Sequence, residues 1–336
     1  MNFWMNTLEY KFGKNVSEEF VKEKLNWNIK WGVKIAKKYA KLSTLKQKKC
    51  YICNGIKVKQ VSTFYGINYV KCQKCNHVFT DRRLSDEGLK KYYSEDEHYF
   101  KETYTKKSIS NMRKKIFLPK IKFVEKYTKG KNWLDIGSGD GTAVVVAKSE
   151  GFRSTGIEMS KTGRKFAKKY HKVELYDKTL ENFVIENTKK WNVVSFFGVL
   201  EHVPNPIEMV RLSNNLLAKD GIIALELPNY NSLGTYVQKL SKIPARHLIP
   251  YAHIMMFTMK SAQYTLKKNG FKPIAVWIYG MDMIEFLKHV SQKDKDFAKS
   301  ELSNLFAKKL NALQLIFDKD EMGDQFLILG KKVKNV

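Results

Sequence analysis

From residue 132 onward, short apolar runs alternate with amphipathic ones, as strands and helices in regular succession do. "NWLDI" reads as a strand and "GTAVVVAKSEG" as a helix ending at Gly151. "STGIEMS" is a second strand, followed by a helix, "SKTGRKFAKKY", that Ser160 can cap through its side-chain oxygen. "VELY", "NVVSFFGV" and "GIIALEL" follow as strands, with a helix from about Pro206 to Ala218 before the last. The helix "SAQYTLKKNGF" and the strands "KPIAVWIY" and "MGDQFLILGKK" complete the series. This alternation predicts an α/β domain whose ligand sits beyond the carboxyl ends of the strands.

Upstream the pattern changes. Residues 17–45 read as basic helix, and residues 84–128 as tyrosine-rich helices that include "LKKYYSEDEHYFKETY". Between them lie all four cysteines, as Cys50-x2-Cys53 and Cys72-x2-Cys75. Asn54-Gly55 and Asn76 tolerate the positive φ that each knuckle needs, and "VSTFYGINYVKC" reads as two short strands turning at Gly66-Ile67-Asn68. Two knuckles at this separation present four thiolates tetrahedrally, the donor set of a closed structural zinc ribbon with no open position for catalysis. Two disulfides suit an oxidising compartment, and a redox motif needs no second pair. The chain therefore divides into an N-terminal helical extension (1–47), a zinc ribbon (48–85), a helical linker (86–128) and the α/β domain (129–336).

Composition narrows the partners. With 43% apolar and 13% aromatic residues over 336 positions, the chain can bury a full core. No apolar run reaches the roughly 18 residues of a membrane span, and the N-terminus lacks the pattern of a signal peptide, so a cytosolic protein is expected. The net charge of +28 suggests nucleic acid at first sight. Arg occupies seven of the 61 basic positions, leaving 54 Lys spread along the whole chain; base and phosphate readers favour Arg forks.

The turn after the first α/β strand, "WLDIGSGDGT", decides the cofactor. Gly137-x-Gly139-x-Gly141 departs from the G-x-G-x-x-G of dinucleotide folds and lacks the lysine of a P-loop. Asp135 and Asp140 would repel a pyrophosphate but favour a ligand carrying an ammonium and a sulfonium. Glu158, at the end of the second strand, is placed to accept both hydroxyls of a ribose. D-x-G-x-G-x-G with an acidic residue closing the next strand resembles the class I S-adenosylmethionine methyltransferases.

That resemblance implies a Rossmann-like sheet of seven strands in the order 3-2-1-4-5-7-6, the last antiparallel. It also implies a cofactor site built from Asp135, Gly137, Gly139 and Gly141 at the methionine end and Glu158 at the ribose. Asp177 through Leu180 would form the adenine rim, with Met159 and Phe197 completing the contacts. "FFGVLEHVPNP" and "AKDGIIALELPNYNS" are similar to the family's fourth and fifth strand segments, the latter bringing Asn229, Tyr230 and Asn231 toward the acceptor; Asn192 stands where the family usually carries Asp.

The ribbon followed by "YYSEDEHYF" narrows the likeness, from about residue 48 onward, to methyltransferases of glycan and deoxysugar biosynthesis. Relatives there use an N-terminal tyrosine, near Tyr99 here, and a Glu-His pair, matched by Ala252-His253. Loss of that glutamate favours O- over C-methylation, because a hydroxyl asks less of its base than a carbon acid does. His253 is the first candidate base and His202 the second. In quinone-pathway O-methyltransferases a Glu-His step with another Glu three residues earlier binds a divalent metal; Gly198 at that position argues against a metal here. A nucleotide-linked sugar is the expected acceptor, with Arg246 and nearby lysines on its pyrophosphate. The rival readings are an RNA methyltransferase with a zinc ribbon and a non-catalytic binding module.

Overall fold

The computed structural model describes residues 8–13, 30–95, 108–241, 247–294 and 296–336. The N-terminal part contains β1 (Glu9–Phe12), α1 (Lys30–Leu42), β2 (Leu45–Lys46), β3 (Val58–Phe64), β4 (Ile67–Cys72), β5 (Val78–Thr80), β6 (Arg82–Arg83), α2 (Asp86–Glu95) and α3 (Ser108–Glu125). The α/β part runs β7 (Asn132–Ile136), α4 (Thr142–Ser149), β8 (Arg153–Ile157), α5 (Lys161–Phe166), α6 (Leu180–Glu186), β9 (Trp191–Phe197), α7 (Pro206–Leu216) and β10 (Leu217–Pro228). It continues with α8 (Leu233–Ser241), β11 (Met255–Met256), α9 (Met259–Lys268), β12 (Phe271–Tyr279), α10 (Asp282–Lys293), α11 (Glu301–Lys319) and β13 (Gln325–Lys332).

Seven strands form the main sheet in the order β1-β12-β13-β10-β9-β7-β8. β8, β7, β9 and β10 are parallel neighbours, and β13 runs antiparallel to both β10 and β12. The sheet differs from expectation at both edges. "VELY" forms no strand and meets β8 only through the bridge Ile157↔Tyr176. It leaves a π-turn through Lys172 at φ 55°, and in this stretch only Val173 is buried, so nothing holds a longer ladder in place. At the opposite edge β1, in a segment expected to be helical, pairs parallel to β12 from Glu9↔Ala275 to Phe12↔Ile278.

The two faces of the sheet separate by strand parity. Leu134, Ile136, Val194, Phe196, Ile223 and Leu225 enter one core, whereas Trp133, Val193, Ala224 and Trp277 enter the other with Ile121 and Val124 of α3. The second face also carries a polar stripe. Trp133 donates to Ser195 Oγ (2.8 Å), and Ser195 donates to Asp135 Oδ1 (2.6 Å). Lys120 donates to Glu226 (2.7 Å), which also accepts from the Tyr279 hydroxyl; all three residues are buried. Replacing Lys120 by Met strands the Glu226 carboxylate, so urea unfolding should report a loss of about 3–5 kcal/mol.

The cysteine module is not a separate body. Its sheet, β11-β5-β4-β3, takes a strand from the α/β part: Met255 pairs with Phe79 and Met256 with Val78. Cys50, Cys72 and Phe79 share one apolar core with Val194 and Phe257. His77, fully buried, stands edge-on against Phe257 and lies 3.4 Å from Ser261 Oγ, so it fastens the module to α9.

Candidate active site

The turn after β7 is built from bare backbone. Gly137, Gly139 and Gly141 have φ of 68°, 55° and 77°, a region costly for residues with a Cβ. A Cβ on Gly137 would lie 2.7 Å from Val199, and one on Gly141 would lie 2.9 Å from Val173; Gly139 faces open space. Tight packing behind the loop and an open front leave its backbone available to a ligand. Asp140 is spent locally, accepting from Thr142 N (3.2 Å) and Thr142 Oγ1 (2.8 Å) at the start of α4. Asp135 lies beneath the turn, 2% exposed, and burial pushes its carboxyl up to about 7.

Glu158 closes the cradle. Its Oε2 accepts from Gly139 N (2.7 Å) and its Oε1 from Ser160 N (2.6 Å), and each oxygen keeps a further lone pair. Burial raises its pKa, offset in part by those amides. Arg164 braces the neighbourhood, donating to the carbonyls of Glu158 and Met159 (2.7 Å each) and to Asp177 Oδ2 (2.6 Å). The Met159 side chain is exposed, whereas Leu180 is buried in the core with Phe183. Phe197 ends β9 and packs on Phe117 beside Lys120.

The candidate bases meet beyond the ends of β9 and β10. Glu201 and His202 belong to a short 3-10 turn (Leu200–His202) directly after Val199, the residue packed on Gly137. The His202 ring lies 4.7 Å from that of His253 at 74°. Its Nδ1 donates to the Ala252 carbonyl (3.0 Å), so its Nε2 keeps the lone pair, and Nε2 lies 3.9 Å from Glu201 Oε1. Burial lowers the His202 pKa to about 4 and, as the largest cause, raises that of Glu201 to about 8. Glu201 Oε2 is buried without a hydrogen-bond partner among the described residues. Glu201, His202 and His253 offer three ligand atoms within 4.8 Å of one another.

Of the two further residues beside these bases, only Tyr93 went unrecognised in the sequence; His247 lies in a stretch expected to reach the pocket. Tyr93 of α2 places its hydroxyl 2.8 Å from His202 Nδ1, and His247 stacks on His253 at 5.6 Å and 26°. Tyr93 lies inside the quoted "YYSEDEHYF", but the assigned tyrosine was Tyr99, which with His98 and Arg246 lies outside the described residues. Asn229 and Asn231 line a cleft of about 360 Å³ with Tyr236, Met259 and Glu321, while Tyr230 is buried. His171 and His289 are largely enclosed, and the His171 ring lies 3.5 Å from Asp140.

The four cysteine sulfurs also lie within 4.8 Å of one another, with Cys50 and Cys75 at 3.5 Å and Cys53 and Cys72 at 3.5 Å. A tetrahedron with metal–sulfur bonds of about 2.3 Å has edges of about 3.8 Å. Paired turns frame them: Asn54 N donates to Cys50 O and Asn76 N to Cys72 O (2.9 Å each), with both asparagines at positive φ.

A family model described as a methyltransferase domain matches residues 109–276, half of the 336 positions. The chain belongs to this methyltransferase family. Its α/β part has the class I fold of S-adenosylmethionine-dependent methyltransferases, with a mostly parallel central sheet. The ubiquinone biosynthesis O-methyltransferase of Glaesserella parasuis is 34% identical over 109 residues, 30% of this chain and 46% of that protein. The Vibrio vulnificus protein of the same name is 30% identical over 107 residues, again 30% of this chain and 46% of the relative. The chain thus spans about half the length of these curated relatives. Similar solved structures include a SAM-dependent methyltransferase from Archaeoglobus fulgidus (TM-score 0.46, 15% identity, 70% of this chain and 100% of that one). Another is the plantazolicin methyltransferase BpumL with S-adenosylhomocysteine (TM-score 0.46, 14% identity, 73% and 94%). Among the described residues no helix is long and apolar enough to cross a membrane.

Proposed function

We propose that this methyltransferase transfers methyl from S-adenosylmethionine to a hydroxyl of a small acceptor, and that nucleotide-linked sugars and glycan precursors are the first class to test. The observation that carries the reading is the meeting of His253, His202 and Glu201 directly behind the residue packed on the glycine turn. The cofactor supplies an electrophilic methyl group. Asp135 and the backbone of Gly137, Gly139 and Gly141 hold its methionine end, and Glu158 accepts from its ribose. Met159, Asp177, Leu180 and Phe197 complete its surroundings, Leu180 by its place in the chain rather than by an exposed side chain. His253 removes the acceptor proton as the acceptor oxygen comes into line with the methyl group. His202, neutral because it is buried, keeps its Nε2 as a second acceptor for that proton. Tyr93 joins Tyr99 as a tyrosine proposed for the site, through its contact with His202. The four cysteines hold a structural zinc ion that fixes the ribbon against this rim.

The test is transfer of labelled methyl to a panel of nucleotide sugars, to a small-molecule catechol and to total RNA, each with and without added magnesium. Label on a sugar hydroxyl is the expected result. Label on RNA alone overturns the acceptor class, and dependence on magnesium assigns Glu201, His202 and His253 to a metal instead of a base.

Cofactor affinity should depend on pH. Asp135 titrates near 7 in the fold, and a cationic ligand favours its ionised form. The Kd for S-adenosylmethionine should therefore tighten severalfold between about pH 6 and pH 8, and that for S-adenosylhomocysteine, whose sulfur is neutral, should tighten less. The stability of the ligand-free fold moves the other way. A carboxyl raised by folding favours the native state at low pH, and that advantage is lost as pH climbs through about 7. Calorimetric titration of both ligands across this window checks the sign.

A further inference from the structure

Lysine is spread along the chain, but acid is not. None of the 33 Asp and Glu residues falls between Glu23 and Asp81, a stretch that holds thirteen lysines, no arginine and all four cysteines. The fold gathers part of that charge at the knuckle tips. Lys57 O accepts from Gln73 N (3.0 Å) and Gly55 O from Cys50 N (2.9 Å), so the two knuckles stand side by side. Gly55, Ile56, Lys57, Gln73 and Lys74 border one open cleft of about 310 Å³. Just inside the tips, β3 and β4 set Lys59 directly opposite Lys71, a like-charge pair that destabilises an antiparallel ladder. None of Lys57, Lys59, Lys71 and Lys74 makes an ion pair among the described residues. Bare aliphatic side chains stand beside these cations: Ile56 is 69% exposed and Val58 38%.

Cations without acidic neighbours and apolar side chains without a cover fit a partner that supplies both negative charge and hydrocarbon. We propose that the knuckle tips are a docking surface for an anionic lipid bilayer, with Ile56 at the acyl boundary and the lysines of both knuckles among the headgroup phosphates. A bilayer fits this chemistry better than a nucleic acid does. Strand readers use arginine forks and stacked aromatic rings, whereas this stretch has no arginine. The large apolar side chains exposed among its described residues, Leu42, Leu45, Ile56 and Val58, are all aliphatic. Lysine, a compact charge on a long apolar stem, reaches headgroup phosphates without needing a fixed geometry. One strand links this surface to the candidate active site: β4 ends in the second knuckle at Cys72 and carries Tyr69, whose hydroxyl donates to the His253 carbonyl (2.9 Å). Docking therefore holds the candidate bases near the membrane surface, and it does so whichever residue removes the acceptor proton.

The experiment is sedimentation of the full-length protein with vesicles of phosphatidylcholine alone or of an equal mixture of phosphatidylcholine and phosphatidylglycerol, without cofactor. The wild type should sediment with the mixed vesicles and stay in solution with the neutral ones. Raising NaCl from about 0.1 M to about 0.5 M should release most of it by screening. Lys57→Gln/Lys74→Gln should weaken partitioning about tenfold or more, and Ile56→Ser severalfold. All three positions are exposed, so Tm should stay at the wild-type value. Lys308→Gln/Lys309→Gln, which removes the same charge from the exposed face of α11, should bind as the wild type does. Equal loss in the two lysine pairs overturns the docking surface, because net charge alone then explains binding. Wild-type partitioning of Lys57→Gln/Lys74→Gln overturns it as well, and so does a protein that ignores the mixed vesicles but is retained by RNA.

Discussion

His253→Gln should lower methyl transfer by about 10²–10⁴-fold while leaving the Kd for S-adenosylmethionine within about twofold of wild type. The two quantities separate because the cradle and the base come from different elements. The glycine turn and Glu158 belong to β7, β8 and the loops after them, whereas His253 is carried by the segment just before β11. Gln cannot accept a proton at neutral pH but keeps the bulk and polarity of the ring edge, so Tyr69 and Ile249 still find their backbone partners. Initial rates with saturating cofactor, beside a binding isotherm, decide it. A variant with wild-type kcat makes His202 the base instead, and His202→Gln would then show the large loss.

Cys72→Ser should do damage of a different kind. Cys72 is fully buried, and its backbone N donates to His77 O while its O accepts from Asn76 N. Removing one thiolate from a closed four-sulfur set forfeits the metal and with it much of the module's folding energy. The expected result is a chain that no longer retains one zinc ion through gel filtration and melts about 10 °C or more below wild type, the fall that several kcal/mol produce at this size. Transfer activity should fall as well, because β5 and β11 pair directly beside His253. Metal analysis of the purified chain and a thermal melt check this. A metal-free variant with unchanged Tm would show the sulfurs to be packing alone.

Much of this was legible because it is local. The turn after β7 is written in glycines that only a left-handed backbone requires, and the acidic end of β8 follows at a fixed distance in the chain. Ser160, read as a cap, does accept from Gly163 N at the start of α5. Asn192, the family's usual Asp, turned out to be structural: its Oδ1 accepts from Asn132 N, and its amide lies where a Cβ of Gly130 would. What escaped depends on distant segments. "VELY" has an apolar rhythm, but it lies at the sheet edge and meets β8 only at the bridge Ile157↔Tyr176. Glu9–Phe12 looks unremarkable until β12 offers an open edge. Tyr93 carries no motif, since it gains its place from His202, 109 positions away, and from a side-chain direction that periodicity does not encode.

The pairing of β5 with β11, and of β1 with β12, also sets a schedule for the chain on the ribosome. On one edge residues 78–79 pair with β4, but the partner on their other edge is made only at 255–256, and that of residues 9–12 only at 275–278. A cysteine module emerging early therefore waits, with one sheet edge open, until more than half of the remaining protein has been synthesised. A chain cut short before residue 255 presents that edge to its surroundings, so premature termination should yield aggregates rather than a smaller working domain.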